Sequence, residues 1–548
     1  MILNRSKSTQ LLSAFFVSAC IACFWVYRHA LNGDFISDDS FFIIGLASDH
    51  RLDWNFVANV FYPYSDIQYE VMSYGPLYLL TSRIEWEVFG ANTLGYHIVN
   101  VVLHALNATL LVALMRREGI DTIWALIGGA FFALHPASVE VVAWINQLRS
   151  IPALGFALGS LLALRKHPGL SAGLFAAGLL FKVSALFALP VALTLWWCSR
   201  RDPRREPISV PWLSVWVALA ALFTFPSFHS VSLVTGPSFA NVAELLRNTA
   251  AIGAHYMLMA TTSIGLSAFH LPEPVRSWLN PWWLASLPIG LVALWRIVGG
   301  IVRGREEAAW WIGAAFAFGM VSQIIPFYYP MADRYLYFML PGLLIASLLW
   351  WQDFKSVTVR RREVLQRSVS LADLGLRIAT VPLLVLFANH SGERAGLWKH
   401  DKTLLMEAAI NYPTGGLAAW VRGGMALEKG DIDAAIPELR RVVKTEYYQY
   451  VDIFGMPQLA PFLSHPKVVR LRNRVARLEI ERWDKRGTET QHQMRAVGSA
   501  YFLLGKHDLA IATLEAALRR GGPHRAAILA DLELIREAKR NRRAAVTR

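Results

Sequence analysis

A series of long apolar segments, separated by clusters of arginine and lysine, is the feature that most limits how this chain can fold. A membrane helix needs about 20 consecutive apolar residues. Segments near this length lie at residues 9–29, 93–114, 121–145, 209–227, 281–300, 308–326 and 369–388. Shorter segments that fit further spans lie at 151–164, 169–182, 184–198 and 335–351. The pattern predicts an all-α polytopic membrane protein with about eleven transmembrane helices.

The basic clusters predict the orientation, because lysine and arginine accumulate in cytoplasmic loops. These clusters lie at residues 116–117, 165–166, 200–205, 296–305 and 355–367. Eleven spans place all of them on the side of the N-terminus, and the chain after about residue 389 on the other side. We therefore predict an inner (plasma) membrane protein with a cytoplasmic N-terminus. Its outer loops and C-terminal region are predicted to be extracytoplasmic.

Residues 248–268 are apolar enough to span the membrane but carry several polar groups. A full crossing there would put the clusters at 200–205 and 296–305 on opposite sides. We therefore predict that 228–280 lie outside, with 248–268 at the interface or partly re-entrant. Whether 248–268 cross the membrane is left open by the sequence.

The composition agrees with a membrane protein and excludes some other classes. Hydrophobic residues make up 54% of the 548 residues, which is too much for a soluble protein of this length. Much of the net charge of +14 lies in the predicted cytoplasmic loops. Basic residues there set the membrane orientation and contact anionic lipid headgroups, so no nucleic-acid partner is expected. The only cysteines, Cys20, Cys23 and Cys198, offer neither a disulfide framework nor metal-ligand spacing.

Two adjacent carboxylates, Asp38 and Asp39, follow the first span and are flanked by aromatic residues. A carboxylate near low-dielectric surroundings can have a raised pKa and act as a base. The alternative is a solvated acidic loop in which an aspartate caps a helix. Oxygen ligands also suit Mg or Mn, so a divalent metal is an open option, although no third ligand is evident and no metal site is predicted.

Further ionisable residues fall in the predicted outer loops, where charges near the membrane are costly and usually functional. They are His135, Glu140, Arg149, Lys182, Asp333 and Arg334, the last two within the loop at 327–335. Each alone could be a snorkelling side chain or an ordinary ion pair. Together on one face they form a candidate site that suits binding a phosphate and removing a proton from a second substrate.

The composition changes after about residue 395, where long apolar runs give way to Arg, Glu and Ala. Small residues at 418–435 and 497–517 have the spacing of helical hairpins like those of tetratricopeptide repeats. A generic helical domain is the alternative. The predicted domains are a transmembrane module at 1–390 and an extracytoplasmic helical-repeat domain at 391–548.

Several segments resemble known membrane glycosyltransferases. The acidic pair resembles the signature of the GT-C superfamily. The segments 89–107 (FGANTLGYHIVNVVLHALN), which contains His97, 135–144 and 332–337 are similar to the transmembrane and tetratricopeptide-repeat O-mannosyltransferases and their bacterial relatives. Trp398 and Asp401 extend the resemblance. Departures occur at Gly75, where the family often has arginine, and after Arg149 and Lys182. They leave the sugar open between mannose and another hexose.

The resemblance implies an inverting hexosyltransferase that moves a sugar from a polyprenyl-phosphate-linked donor to an extracytoplasmic hydroxyl, with protein Ser or Thr as acceptor. For this reaction we assign Asp38 as the base and Asp39 as the residue that orients or binds the sugar, and the sequence leaves open which of the two is the base. Arg334 and Lys182 are assigned to the donor phosphate, with Arg149 as a weaker candidate. Further candidate site residues are His135, Glu140, Asp333 and His97.

Two alternatives remain open. One is transfer to an envelope lipid or polysaccharide, and the other is a non-enzymatic membrane scaffold that binds partners through its repeats. Within the first interpretation, residues 411–540 are expected to recruit a polypeptide acceptor or a protein partner, or else to form a structural cap.

Overall fold

The computed structural model describes residues 5–48, 50–65, 67–68, 74–201, 205–231, 239, 241–324, 329–359, 363–443, 450–486, 491–520 and 525–546. All regular elements within these ranges are helices, which confirms the predicted all-α class. Residues 202–204 and 360–362 of two basic clusters, and 327–328 of an outer loop, lie outside the described residues.

The chain forms two compact units. The first comprises most of the chain up to Leu404, and the second comprises the chain from Leu405 onward with a short stretch after Ala58. The domain boundary at 390/391 stays a prediction.

The first part of the chain consists of helices whose ends carry identifiable signals. Asn92, Asp121 and Asn280 accept hydrogen bonds from the first free N–H groups of the helices that follow them. A π-helix at Ser40–Ala47 directly follows the acidic pair. The α-helices are Arg5–Tyr27, Trp54–Phe61, Pro76–Phe89, Thr93–Arg117, Thr122–Leu134, Val139–Ala143, Ser150–Ala163, Pro168–Phe181, Ala188–Ser199, Val210–Val231, Val242–Thr262, Pro281–Arg303, Glu307–Gly319, Leu336–Val359 and Glu363–Leu397.

Several of these helices are long and apolar enough to cross a membrane, so the chain is a multi-pass membrane protein. Five qualify on length and composition: Ser6–Tyr27, Thr93–Arg117, Pro281–Arg303, Asp333–Ser356 and Leu371–Leu397. A sixth is added if one bent pair counts as a single span, and shorter apolar helices lie at Pro168–Phe181, Val183–Ser199 and Val210–Pro226. The figure of eleven spans stays a prediction.

The apolar run at 121–145 is not the single straight helix that its length predicts. It bends by 48° between Thr122–Leu134 and Pro136–Ala143. His135 at the break has an extended backbone (φ −70°, ψ 127°), as expected for a residue that precedes a proline. The break places the short helix Val139–Ala143, and with it Glu140, at an angle to the preceding helix.

The segment 248–268 begins within one continuous helix, Val242–Thr262. Asn241 caps its N-terminus, and Ser263, with φ +59°, ends it in the left-handed region. The helix packs against Pro281–Arg303 and buries Arg247 and Tyr256. Whether it crosses the membrane stays open.

The second unit contains helical hairpins at both predicted places. The pairs are Gly416–Glu428 with Ile432–Val443, and Gln491–Leu503 with His507–Arg520. Small residues permit their close packing, since a Cβ added at Gly498 would lie 2.7 Å from a side-chain carbon of Leu514. The other helices of this region are Asp401–Asn411, Pro466–Arg486 and Arg525–Val546. Assignment of the hairpins as tetratricopeptide repeats stays a prediction.

Candidate active site

Asp39 is fully buried and closes a tight turn after the first helix. Its Oδ2 accepts a hydrogen bond from the Ile36 N–H at 3.0 Å, and its own N–H donates to the Ile36 carbonyl at 3.0 Å. Its Oδ1 accepts the Asn146 N–H at 2.8 Å, across 107 residues of sequence. Asp39 therefore joins this turn to the loop that follows the helix Val139–Ala143.

Asp38 has a different environment from its neighbour. It is half-buried, and its side chain makes no hydrogen bond or ion pair within the described part of the chain. Its backbone carbonyl accepts the Phe42 N–H at 3.0 Å. Asp38 is thus the carboxylate of the pair whose side chain has no partner among the described residues.

The ionisation of Asp39 follows from its burial. Desolvation raises the pKa of Asp39 to about 8, against the lowering effect of the Ile36 and Asn146 N–H groups. The charges of Asp38 and Asp401 raise it further. Asp39 is therefore mostly neutral at pH 7, which spares the site a second charge beside Asp38.

Arg149 lies next to this turn against two aromatic rings. Its guanidinium carbon is 5.4 Å from the ring centre of Phe42 and 5.7 Å from that of Tyr78. The Tyr78 hydroxyl donates to the Asn146 side-chain oxygen, and Tyr78 lies within electrostatic reach of Arg149, Asp39 and Asp38. Tyr78 and Asn146 were not predicted, since nothing in their local sequence marks them.

Lys182 lies in an extended break (φ −160°, ψ 133°) between the helix Pro168–Phe181 and the next helical turn. Its Nζ donates to the Ser150 hydroxyl at 2.8 Å and lies 5.8 Å from the Phe338 ring centre. It is within electrostatic reach of Arg149, Arg334 and Glu140. The three residues predicted to bind the phosphate are thus near enough to interact electrostatically, although they come from three separate segments. Burial, and then the charges of Arg149 and Arg334, hold the pKa of Lys182 well below its usual range.

Arg334 is oriented by Glu140, whose carboxylate is fully buried. One guanidinium nitrogen, Nη1, donates to Glu140 Oε1, and the backbone N–H of Arg334 donates to Oε2 at 2.7 Å. The guanidinium also lies over the rings of Trp144 and Tyr329, at 5.7 and 4.9 Å. Glu140 is thus the partner of Arg334, and the pair links the loop at 332–335 to the bent helix.

Asp333 is held in a separate buried network. Its Oδ1 lies 2.7 Å from the His270 Nε2, and its Oδ2 accepts from Arg394 Nη2 at 2.7 Å. All three side chains are buried. Asp333, next to Arg334 in the sequence, therefore has both of its oxygens already in use.

The two candidate histidines differ from each other. His135 is fully buried and uses both ring nitrogens, one accepting the Ala137 N–H at 3.1 Å and the other 3.1 Å from the Ala260 carbonyl. His97 is also buried, but neither ring nitrogen has a hydrogen-bond partner in the described ranges. No hydrogen bond or ion pair joins either histidine to Asp38 or Asp39 in that part of the chain.

No group of three or more His, Cys, Asp or Glu side chains able to hold a metal ion occurs among the residues that the structure describes.

Comparison with known proteins identifies relatives of one kind. No family model matches the chain. A protein O-mannosyl-transferase of Caenorhabditis elegans is 22% identical over 414 residues, which cover 71% of this chain and 56% of that protein. Protein O-mannosyl-transferase Tmtc1 of Drosophila melanogaster is 34% identical over 157 residues, 28% of this chain and 18% of that protein.

A third relative, protein O-mannosyl-transferase TMTC2 of Homo sapiens, is 38% identical over 95 residues, which are 17% of this chain and 11% of that protein. The matched parts thus span from about a tenth to just over half of these relatives' length. All three names agree, and they confirm the predicted resemblance of this chain to the transmembrane and tetratricopeptide-repeat O-mannosyltransferases.

Proposed function

We propose that this chain is a membrane glycosyltransferase that moves mannose or another hexose from a polyprenyl-phosphate-linked donor to a hydroxyl acceptor, with protein Ser or Thr as the preferred acceptor. One observation carries the proposal. An open carboxylate, Asp38, lies in the same unit as three converging cations, Arg149, Lys182 and Arg334. The names of the relatives support the same reaction class.

The proposed reaction is a single displacement. Asp38 removes the proton of the acceptor hydroxyl while its oxygen attacks the anomeric carbon of the donor. The bond from that carbon to the phosphate oxygen breaks, and the electron pair leaves with the phosphate. Because phosphate is a good leaving group, no general acid is needed. One direct displacement inverts the anomeric centre.

The three cations stabilise the phosphate charge that develops as the bond breaks. A guanidinium has five N–H donors, and in Arg334 the nitrogen Nη1 serves Glu140. Its remaining donors can face the phosphate, held in place by the buried Glu140. Asp39 supports the turn that carries Asp38 through its two buried hydrogen bonds. Its role in orienting or binding the sugar stays a prediction.

A transfer assay with purified protein tests this proposal. The substrates are radiolabelled polyprenyl-phosphate mannose or glucose and a Ser/Thr-containing peptide. Asp38→Asn should abolish transfer while leaving the protein folded. Asp53→Asn is the matched control, because Asp53 is an exposed helix cap in the same outer loop and asparagine caps helices equally well. Full transfer by Asp38→Asn would remove the proposed base.

The acceptor distinguishes the main alternatives. An enzyme that modifies an envelope lipid or polysaccharide would use the same chemistry, whereas a scaffold would transfer no sugar at all. Glycoproteins and envelope glycans from cells with and without this protein separate the three cases. Loss of sugar from proteins supports our proposal, and loss from lipid or polysaccharide alone contradicts the protein acceptor.

We further propose an inner-membrane orientation with a cytoplasmic N-terminus and with the outer loops and the C-terminal region outside. Its support is the distribution of Lys and Arg. Reporter fusions after Arg205 and after Arg394 should report opposite sides of the membrane. If both fusions are cytoplasmic, this orientation is wrong.

For the helical-repeat region we propose recruitment of a polypeptide acceptor by residues 411–540. Stacked helical hairpins form surfaces suited to an extended chain. Deleting 411–548 should spare transfer to a small soluble acceptor and weaken transfer to the natural one. An equal loss of both activities, with the membrane module still folded, favours a structural cap instead.

A further inference from the structure

The segment that follows the last long helix is fastened to the turn that carries the acidic pair. The Asp34 N–H donates to the Lys399 carbonyl at 2.9 Å, and the Ser37 N–H donates to Asp401 Oδ1 at 2.9 Å. His400 Nδ1 lies 2.7 Å from Asp34 Oδ2. Some 364 residues of sequence separate Ser37 from Asp401, so this contact is a feature of the tertiary structure alone.

The segment that contains Lys399, His400 and Asp401 begins at a buried tryptophan. Trp398 is 2% exposed and stacks on Trp144, with ring centres 5.6 Å apart and an interplanar angle of 28°. Trp144 directly precedes the loop that contains Asn146. Asn146 follows Trp144 by two residues, and Asp401 follows Trp398 by three. The two segments that bond to the acidic turn are therefore packed together through this pair of indoles.

Ser37 has an unusual backbone at the point of attachment. Its φ of +51° lies in the left-handed region, which residues with a side chain rarely adopt. Such a conformation persists only where surrounding contacts hold it, and it occurs often at functional sites. The N–H of this strained residue is the one that Asp401 accepts.

Asp38 follows Ser37 directly and depends on this turn for its position. Asp39 is fixed by two hydrogen bonds to its carboxylate, but the side chain of Asp38 has no partner in the described part of the chain. The backbone of the turn therefore sets the direction of the Cα–Cβ bond from which the Asp38 carboxylate extends. The Asp401 side chain holds this backbone by accepting the Ser37 N–H.

We propose that Asp401 is a positioning residue for Asp38: by accepting the Ser37 N–H, it keeps the turn in the conformation that aims the Asp38 carboxylate at the acceptor hydroxyl. This inference rests on the proposed function, since it gives the turn a role in that reaction. In this role Asp401 acts through the turn and not on the substrate. A displacement of about 1 Å at a reacting group can reduce a rate by about a hundredfold, so a loosened turn has a measurable effect on kcat.

The test compares two substitutions at one position. Asp401→Ala removes the acceptor, whereas Asp401→Asn keeps an oxygen in the same place. We expect Asp401→Ala to lower kcat by about tenfold or more with the donor KM changed less than about twofold. Asp401→Asn should retain most of the activity. Lys402→Ala, at the exposed neighbouring position, is the matched control and should behave as wild type.

A second measurement examines the contact without using activity. Hydrogen exchange of the peptide that contains Ser37 should be about tenfold faster in Asp401→Ala than in wild type, and near the wild-type rate in Asp401→Asn. Because Asp401 is exposed, melting temperatures of all variants should stay close to that of wild type.

The outcomes separate this inference from the function on which it rests. If the wild-type protein transfers no sugar, the proposed function is wrong. Unchanged hydrogen exchange at Ser37 in Asp401→Ala would show, independently of activity, that Asp401 does not hold the turn. If the wild type is active but Asp401→Ala keeps its kcat, or if Ala and Asn reduce it equally, Asp401 is not a positioning residue.

Discussion

The two adjacent aspartates should respond to mutation in opposite ways. Both oxygens of Asp39 accept backbone N–H groups, from Ile36 and Asn146, and those two residues are 1% and 0% exposed. Asp39→Ala leaves both N–H groups buried without an acceptor. Asp38→Ala removes a half-buried carboxylate that has no side-chain partner in the described ranges.

The expected magnitudes follow from these contacts. Each buried donor left unsatisfied costs about 1–3 kcal/mol, so Asp39→Ala should lower the free energy of unfolding by about 2–6 kcal/mol. Asp39→Asn keeps one acceptor oxygen and should cost about half as much. Asp38→Ala should change stability by no more than about 0.5 kcal/mol, as surface substitutions usually do.

Thermal unfolding in detergent, followed by the fluorescence of the 20 tryptophans, measures the stability of these variants. The transfer assay measures activity. In that assay Asp38→Ala should be inactive, although its melting temperature should equal that of wild type. Equal melting temperatures for wild type and Asp39→Ala would show that the buried hydrogen bonds do not support the turn. A strongly destabilised Asp38→Ala would likewise contradict the division of roles.

Three further predictions rest on single features of the structure. Between pH 4 and pH 8 Asp39 is protonated when folded but ionised when unfolded, because burial raises its pKa from an unfolded value near 4 to about 8. Its contribution to stability therefore falls as pH rises through this window, and the melting temperature of wild type should decline more steeply with pH than that of Asp39→Asn. Glu140→Gln leaves the largely buried guanidinium of Arg334 without a counter-charge and should lower the free energy of unfolding by about 3 kcal/mol. The melting temperature should fall accordingly, and an unchanged value would show that the ion pair does not stabilise the fold. Gly498→Leu should destabilise the second unit by about 2 kcal/mol because a Cβ there already meets Leu514 at 2.7 Å, and proteolysis of that unit should become faster.

Much of the helical architecture could be predicted, because it depends on local properties of the chain. The apolar runs at 93–114 and 281–300 became the helices Thr93–Arg117 and Pro281–Arg303, which begin next to the capping residues Asn92 and Asn280. The run at 121–145 is an exception. Its length predicts one span, but Pro136 displaces the backbone of His135 from the helix and introduces a 48° bend.

The site was predicted as a set of residue types but not as an arrangement. Arg149, Lys182 and Arg334 were chosen because they are cations in outer loops, and the structure brings them together. Tyr78 and Asn146 were missed, since their importance lies in a hydrogen bond between segments 68 residues apart.

The sequence by itself determined that this chain is a helical membrane protein with acidic and basic side chains in loops beside its spans. Helix length and the cost of burying charge in lipid are properties of short segments, so they can be read without a fold. Only the tertiary structure decided which carboxylate is open. Asp38 and Asp39 are adjacent and chemically identical, but they differ because of residues distant in sequence. The Asn146 N–H donates to Asp39, whereas Asp401 accepts the N–H of Ser37, the residue before Asp38.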